Sequence, residues 1–171
     1  MKTDEFIERV VSLAPRIYPL VARLLGNDEE AEDAVQETML KLWKIKNRLN
    51  SHPNLQGFVF LTARNHCLDM LKQRKYIFED IGQLDIRDQD RNDTEYEYQE
   101  HYNYIKEIIN SLPENYREVI ILRDIDGLEY DEISAITGKS TEHLRVILSR
   151  ARRSVATKIS EIYSYEKGTG R

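Results

Sequence analysis

The chain has 171 residues, of which 40% are hydrophobic and 32% charged, a composition typical of one ordinary domain or two small ones. Its single cysteine excludes an internal disulfide and a thiolate metal cluster, and its histidines show no metal-ligand spacing. The net charge of −5 argues against a protein that binds every duplex it meets, because such binding depends on neutralising phosphates.

Several classes of function leave no trace in the sequence. There is no glycine-rich phosphate loop, no nucleophile elbow and no catalytic constellation, so we expect no enzyme activity, no metal, no cofactor and no small-molecule substrate. No apolar run suits a signal peptide or a membrane span. We therefore expect a cytoplasmic protein without membrane insertion.

The N-terminal part carries helical periodicity from the start. Residues 4–25 form the first helical stretch, which Pro15 and Pro19 should kink or split and Gly26 should end. Asn27, at capping-box spacing before Glu30, opens a second helix that runs to about residue 45.

A polar loop over residues 47–56 is expected to follow, and a third helix then spans about residues 55–75. Its core-facing residues are expected to be Phe58, Leu61, Cys67, Leu68 and Leu71. Cys67 is interpreted as a small buried hydrophobe rather than a redox switch.

Residues 79–98 are acidic, polar and without apolar periodicity, so they predict a flexible linker. Between residues 77 and 103 there are nine acidic residues and only two arginines. We hypothesise that this negative segment discourages the free protein from binding DNA.

Helical periodicity returns after the linker. One apolar stripe consists of Tyr102, Ile105, Ile108, Ile109 and Leu112. Pro113 should begin the next helix at its first turn, and the inner face of that helix is formed by Val119, Ile120 and Leu122.

The last third has the order of a helix-turn-helix. Leu128, Ile133 and Ile136 mark a short helix, residues 137–139 with Gly138 form the break, and Ser140 is a candidate N-cap of a long helix. The core side of the long helix consists of Leu144, Ile147, Leu148, Ala151 and Val155. Its outward side consists of Glu142, Arg145, Val146, Ser149, Arg150 and Arg153.

Positive charge is concentrated on this last helix. Residues 139–158 contain six lysines and arginines against the single acidic residue Glu142. A charge run alone is more often a solvated helix face, but the preceding helix and turn favour DNA binding. Arg152 falls near the apolar boundary, where an intramolecular salt bridge is equally plausible.

Two blocks resemble one known family. Residues 31–37, 42–43, 58–65 and 68–72 resemble region 2 of RNA polymerase sigma factors, and residues 112–124 and 149–152 resemble region 4. The chain is thus similar to an extracytoplasmic-function (ECF) sigma factor of the sigma-70 family. The resemblance implies an all-α fold, with a three-to-four-helix region 2 bundle and a four-helix region 4 domain that contains the helix-turn-helix. The expected boundaries are region 2 at 1–76, an acidic linker at 77–98, region 4 at 99–165 and a tail at 166–171.

The family's activity becomes an expectation for this chain. Such proteins bind core RNA polymerase through the clamp helices of its largest subunit and the flap of its second-largest subunit. They read the minus-35 and minus-10 promoter elements and help to open the duplex, without catalysis of their own. An anti-sigma factor is an expected partner by analogy.

The resemblance also assigns residues. Those matching the polymerase-binding surface are Asp33, Gln36, Glu37 and Lys41. Those expected at the minus-35 element are Lys139, Ser140, Thr141, Glu142, His143, Arg145, Val146, Ser149, Arg150 and Arg153. Those expected at the minus-10 element are Asn47, Arg48, Asn50, Ser51, Arg64, Asn65, Lys72, Arg74 and Lys75.

Simpler interpretations accompany these assignments. A polar helix face is usually only solvated, and Asn and Ser in a loop are usually turn formers. Phe58 and Trp43 are interpreted as core packing rather than stacking platforms for bases. Glu142 and His143 stand where relatives often have small residues, so a relative's promoter sequence does not transfer safely.

Two rival functions remain open at this stage. One is a helix-turn-helix regulator that binds an operator as a dimer through its N-terminal lobe. The other is a helical adaptor whose basic helix contacts an acidic protein. The block that resembles region 2 disfavours both.

Overall fold

The computed structural model describes the backbone of residues 1–81 and 96–168 and the side chains of residues 1–75, 103–162 and 164. Over these residues the regular structure is helical throughout, which confirms the all-α fold class. The helices are α1 Thr3–Arg9, α2 Ala14–Leu25, α3 Asp28–Lys44, α4 Lys46–Leu49, α5 Leu55–Ile81, α6 Tyr96–Asn110, α7 Glu114–Ile120, α8 Tyr130–Thr137 and α9 Thr141–Gly168. A 3-10 turn, Val11–Leu13, follows α1, and a π-helical segment, Ile121–Ile125, follows α7. None of the helices in these residues has the length and apolarity needed to cross a bilayer.

The first helical stretch is split, as the prolines predict. Pro15 lies in the first turn of α2, where its missing N–H costs nothing, whereas Pro19 is accommodated inside that helix. Gly26 then ends α2 with a φ of 69°, and its N–H donates to the carbonyl of Ala22 at 2.9 Å. This left-handed conformation is one that glycine adopts without strain.

The predicted cap of the second helix is confirmed. The Asn27 side chain accepts a hydrogen bond of 2.9 Å from the backbone N–H of Glu30. Three acidic residues, Asp28, Glu29 and Glu30, occupy the first turn of α3, where they interact favourably with the positive end of the helix dipole.

The structure corrects the loop predicted over residues 47–56. Its first part belongs to α4, a single helical turn that Leu49 anchors in the core with 1% of its surface exposed. The Lys46 ammonium also lies 3.4 Å from the centre of the Trp43 ring. Asn54 then caps α5, because its Oδ1 accepts from the Gly57 N–H at 2.9 Å.

The buried face of α5 also differs from the prediction. Val59, Phe60, Ala63 and Cys67 are fully buried, whereas Phe58, Leu61, Leu68 and Leu71 are only half-buried. α5 packs against α2 and α3 and also against α8, so its apolar surface spreads over more than one stripe. A prediction that places one apolar stripe on the helix therefore cannot identify which of its residues are most deeply buried.

Helices α5 and α6 extend into both ends of the predicted linker. Residues 77–81 continue α5 and residues 96–98 begin α6. The remainder of that segment lies outside the described residues, as does the side chain of Tyr102.

The chain divides into two compact units. The first combines Met1–Leu84 with Leu122–Thr141, so α8 packs with the N-terminal helices. Its core includes Phe6, Val10, Ile17, Leu20, Val21, Leu42, Phe60, Leu128 and Ile133.

The second compact unit combines Asp85–Ile121 with Glu142–Arg171. Its core residues are Ile108, Ile109, Leu112, Val119, Ile120, Leu144, Ile147, Leu148 and Ala151. They include most of the predicted inner faces of α7 and α9 and the C-terminal part of the stripe around α6. Two predicted residues differ: Val155 of α9 is only half-buried, and Leu122 is buried in the first compact unit instead. Ile105, in the same predicted stripe, is 47% exposed.

Candidate functional site

The turn before α9 has the predicted geometry. Gly138 has a φ of 71°, and its N–H donates to the Ser134 carbonyl at 2.9 Å. The Lys139 N–H donates to Thr137 Oγ1 at 3.3 Å. Because α9 begins at Thr141, Ser140 occupies the predicted N-cap position.

The two faces of α9 separate as predicted. Leu144, Ile147, Leu148 and Ala151 are at most 3% exposed, whereas Val146 on the other side is 47% exposed. The exposed residues of the outward face are Glu142, His143, Arg145, Val146, Ser149, Arg150 and Arg153. Lys139 and Thr141 are half-buried and Ser140 is exposed. The helix therefore presents arginines and a small polar side chain on one continuous surface, a combination suited to the major groove of DNA.

The residues expected at the minus-10 element differ in accessibility. Asn47, Arg48, Asn50, Ser51, Asn65, Lys72 and Lys75 are exposed. Arg64 and Arg74 are half-buried, and Arg74 forms an ion pair with Glu30 of α3. The exposed lysines on α5 are thus better placed than Arg74 to contact a nucleic-acid backbone.

The aromatic side chains near this loop pack against the protein. Trp43 meets the buried Phe6 edge to face, with ring centres 5.0 Å apart. Phe58 lies 4.8 Å from the His52 ring. Both contacts agree with the interpretation of Trp43 and Phe58 as packing residues.

The outward side of α3 holds the four residues expected to bind polymerase. Asp33, Gln36, Glu37 and Lys41 are all exposed. Leu40, which was not among the expected polymerase-binding residues, lies between them and is 60% exposed. An apolar residue on an otherwise polar helical face was the signal that could have identified it.

A buried histidine that was not among the expected site residues links two of these four side chains. Lys41 Nζ lies 2.6 Å from His66 Nδ1, and His66 Nε2 lies 2.9 Å from a Glu37 carboxylate oxygen. An ammonium group only donates, so Nδ1 is the acceptor in the contact with Lys41. His66 is 8% exposed, so a buried ring contacts the two surface side chains of Glu37 and Lys41.

Two buried carboxylates meet arginines of α2. Arg23 Nε and Nη2 donate to the two carboxylate oxygens of Asp126 at 2.6 Å each, and Arg16 binds Glu132 with contacts of 2.8 and 2.9 Å. Burial raises the pKa of Asp126, and Arg23 partly opposes that rise. No local sequence pattern predicts these ion pairs, because Arg23 and Asp126 are 103 residues apart in the sequence and Arg16 and Glu132 are 116 residues apart.

Cys67 is fully buried, as expected for a small hydrophobe. Burial raises the pKa of its thiol to about 11. The protonated, unreactive form therefore dominates at neutral pH.

Comparison with known proteins gives a consistent result. Two family models match the chain: Sigma-70 region 2 over residues 10–76, and Sigma-70, region 4 over residues 102–155. The ECF RNA polymerase sigma factor SigE of Mycolicibacterium smegmatis is 29% identical over 154 residues, which cover 86% of this chain and 59% of that protein. The ECF RNA polymerase sigma factor EcfG of Rhodopseudomonas palustris is 25% identical, covering 90% of this chain and 84% of that protein.

A solved structure shares the fold. The sigma factor RpoE from Bartonella quintana, crystallised in complex with the anti-sigma factor NepR, matches with a TM-score of 0.63 and 24% identity. The match covers 92% of this chain and 98% of that chain.

Proposed function

Because the chain belongs to the sigma-70 family, we propose that it is a bacterial transcription initiation factor of the ECF type. It binds core RNA polymerase, directs the enzyme to promoters by their minus-35 and minus-10 elements, and assists promoter opening. The observation that supports this most directly is the exposed arginine-bearing face of α9 immediately after the left-handed Gly138 turn. We expect such a protein to act in the cytoplasm.

At the minus-35 element, α9 enters the major groove. Arg145 and Arg150 donate in bidentate fashion to guanine, and Val146 packs on a thymine methyl group. Lys139 and Arg153 bind phosphates, which fix the position of the helix without reading sequence. The exposure of Arg145, Val146, Arg150 and Arg153 supports this division of roles.

At the minus-10 element, the exposed polar residues before α5 bind a separated strand. Asn47, Arg48, Asn50 and Ser51 offer donors and acceptors to an unstacked base edge. Asn65, Lys72 and Lys75 follow the strand backbone, while Arg64 and the Glu30-paired Arg74 support that surface. The energy of strand separation is supplied by binding the opened strand.

Polymerase is bound by the outward side of α3. Asp33, Gln36, Glu37 and Lys41 contact the clamp helices, and the exposed Leu40 adds an apolar contact at their centre. The flap of the second-largest subunit binds region 4. An anti-sigma factor is a further proposed partner, as in the NepR complex of the Bartonella quintana protein.

Functionally, residues 1–76 act as region 2 and residues 99–165 as region 4, with residues 77–98 joining them and residues 166–171 as a tail. The two matched segments, 10–76 and 102–155, support this division. Each compact unit contains residues that we propose to meet polymerase or promoter DNA.

The decisive experiment is transcription from a promoter library with purified bacterial core polymerase and this chain, followed by sequencing of the transcripts. We expect initiation at a defined set of promoters that core polymerase alone does not use. A dimeric regulator would instead bind palindromic DNA without polymerase, and an adaptor would do neither. Failure to co-elute with core polymerase and to direct it to any template would overturn the proposal.

A further inference from the structure

One long stretch of this acidic chain carries no negative charge. Residues 38–68 contain five lysines and arginines and no aspartate or glutamate, although the net charge of the whole chain is −5. Three of the five, Lys44, Lys46 and Arg48, lie where α3 ends and α4 begins. Among the side chains that the structure describes, none forms an ion pair with these three. The junction of α3 and α4 is therefore a place of uncompensated positive charge.

Of these three cations, Lys46 is held in place by the fold. Its ammonium nitrogen lies 3.4 Å from the centre of the Trp43 ring. Trp43 in turn meets Phe6 edge to face, and Phe6 is only 3% exposed. Leu49 is buried at the other end of α4 and anchors that turn of helix in the core. Two stacked aromatic rings thus position the Lys46 ammonium.

A cation held on an aromatic face keeps its hydrogen-bond donors. The ring attracts the ammonium group through its quadrupole, and the three N–H donors of that group can still reach an acceptor oxygen. A lysine side chain normally loses conformational freedom when it binds an anion, and this loss is smaller for Lys46 because Trp43 already orders it. A carboxylate partner would have neutralised the cation, as Glu30 does for Arg74.

The neighbours of Lys46 indicate which anion it meets. Asn47 and Arg48 follow it in α4, Asn50 comes directly after that helix, and all three are exposed. They belong to the residues that the proposed function assigns to an unstacked base of the minus-10 element. Each nucleotide of a DNA strand carries one phosphate, so a strand whose base reaches these residues brings a phosphate to the same surface.

We propose that Lys46, held on the face of Trp43, binds a phosphate of the separated minus-10 strand. Lys46 is the binding residue, whereas Trp43 is a positioning residue that acts through Lys46 and does not touch the strand. This inference rests on the proposed function, because that function brings a single strand to α4.

The experiment measures the affinity of the full chain, free and in complex with core polymerase, for labelled single-stranded DNA of mixed sequence at several salt concentrations. Lys46→Met removes the charge and keeps an unbranched side chain that can still contact the ring. We expect it to weaken binding about three- to tenfold and to reduce the salt dependence by about 0.7 in slope, the value for one phosphate of a single strand. Lys46→Arg keeps a cation that stacks on aromatic rings, so its affinity should stay within about twofold of wild type.

Lys44→Met is the matched control. Lys44 is exposed and lies in the last turn of α3, where the helix dipole already favours a cation. The substitution removes the same charge from the same surface without disturbing the contact between Lys46 and Trp43. Its effect on affinity and salt dependence should be clearly smaller. Equal losses in Lys44→Met and Lys46→Met would show that only the total charge matters, and would overturn the inference.

The positioning role of Trp43 has a separate test. Trp43→Phe keeps an aromatic ring beside Phe6 but attracts a cation more weakly. It should reduce the affinity for the strand in the wild-type chain and cause no additional loss in Lys46→Met, because no cation is then left to position. The urea midpoint of each variant shows whether the fold is intact. The same loss with and without Lys46 would leave Trp43 as a packing residue and overturn its positioning role.

Failure of this inference is distinguishable from failure of the proposed function. A chain that directs core polymerase to promoters but binds the strand equally well with Lys46→Met keeps the proposed function and loses the inference. Strand binding that depends on Lys46, in a chain that never associates with polymerase, supports the phosphate contact and overturns the proposed function. If the wild-type chain binds the strand neither alone nor with polymerase, the inference is overturned, while transcription from the promoter library still tests the proposed function.

Discussion

Asp126 and Glu132 show how single residues constrain this protein. A carboxylate out of water is costly unless a counter-charge and hydrogen bonds compensate it, and each of these two has an arginine of α2 as its partner. Glu132 also accepts from the Glu129 N–H at 2.7 Å, as part of the capping box of α8. Removal of an arginine should therefore be more damaging than neutralisation of its carboxylate.

The raised pKa of Asp126 predicts a pH dependence of stability. Burial, the dominant cause, disfavours the charged form and outweighs Arg23. The pKa of Asp126 in the folded protein therefore lies above its unfolded value of 3.8. The contribution of Asp126 to the free energy of unfolding is fully present below pH 3.8 and is lost as pH rises through the folded pKa. The free energy of unfolding of Asp126→Asn, relative to wild type, should thus increase between about pH 3 and pH 7 in urea titrations.

Glu5→Gln provides a control of opposite sign. A hydrogen bond from Arg9 lowers the pKa of the surface residue Glu5, so its stabilising contribution is present above 4.5 and is lost as pH falls. The stability of this variant relative to wild type should decrease as pH rises. Parallel trends for the two variants would contradict the assignment for Asp126.

The contacts of His66 predict a coupling between Glu37 and Lys41, two of the proposed polymerase-binding residues. Replacing His66 by Leu keeps the buried volume but removes the contacts that hold the Glu37 and Lys41 side chains. Both side chains are then mobile in the free protein, so binding must pay the entropy cost of ordering them. Affinity for core polymerase, measured by fluorescence anisotropy, should fall by about 1 kcal/mol, or roughly fivefold.

The matched comparison is the same change in a background that lacks both surface side chains. In Glu37→Ala/Lys41→Ala, His66→Leu should cause no additional loss, because there is nothing left to position. An equal loss in both backgrounds would show that His66 acts through the fold alone.

At the scale of elements, α9 combines two functions on opposite faces. Leu144, Ile147 and Leu148 hold it in the second compact unit, and the exposed arginines face solvent. The packing residues recur at helical spacing and fix the rotation of the helix about its axis. That rotation decides which side chains are available to bases.

Replacing Arg150 and Arg153 by Ala should therefore change promoter binding in different ways. Arg150→Ala should cost about 1–3 kcal/mol on the preferred promoter and relax the preference at one base pair. Arg153→Ala should weaken binding to all sequences about equally and reduce the salt dependence by about one phosphate. Competition binding of the holoenzyme to single-base promoter variants at several salt concentrations separates the two outcomes. Identical profiles would remove the distinction between base and phosphate contacts.

At the scale of the whole molecule, charge is segregated along the chain. The net charge is −5, yet residues 139–158 are strongly basic and residues 77–103 strongly acidic. Because nonspecific DNA affinity depends on neutralised phosphates, an acidic segment in the same chain opposes it at long range.

Neutralising some of the acidic residues should show that this segment reduces the DNA affinity of the free chain. A variant with Asp85, Asp88, Asp90 and Asp93 replaced by Asn should bind duplex DNA more tightly without polymerase, most clearly at low salt. The control replaces four exposed acidic residues elsewhere, namely Glu8, Glu29, Asp69 and Glu107. Equal gains in both variants would indicate net charge alone, and unchanged binding would dispose of the hypothesis.

Local rules in the sequence determined most of the elements. The Asn27 cap, the left-handed glycines at 26 and 138 and the two faces of α9 all depend on residues within a few positions of one another. Propensity, capping and periodicity act over that range, so these predictions agree with the structure. The region 2 and region 4 resemblances likewise depend on contiguous blocks.

Only the tertiary structure decided the contacts between distant segments. The burial of Asp126 and Glu132, the deep face of α5 and the turn of helix at α4 each depend on what packs against them. Arg16 and Arg23 are ordinary surface residues in any local window, and they become partners only when α2 meets residues more than 100 positions away. Periodicity specifies that a helix has an inner face, but not which other segment covers it, because that choice is made by packing across the whole chain.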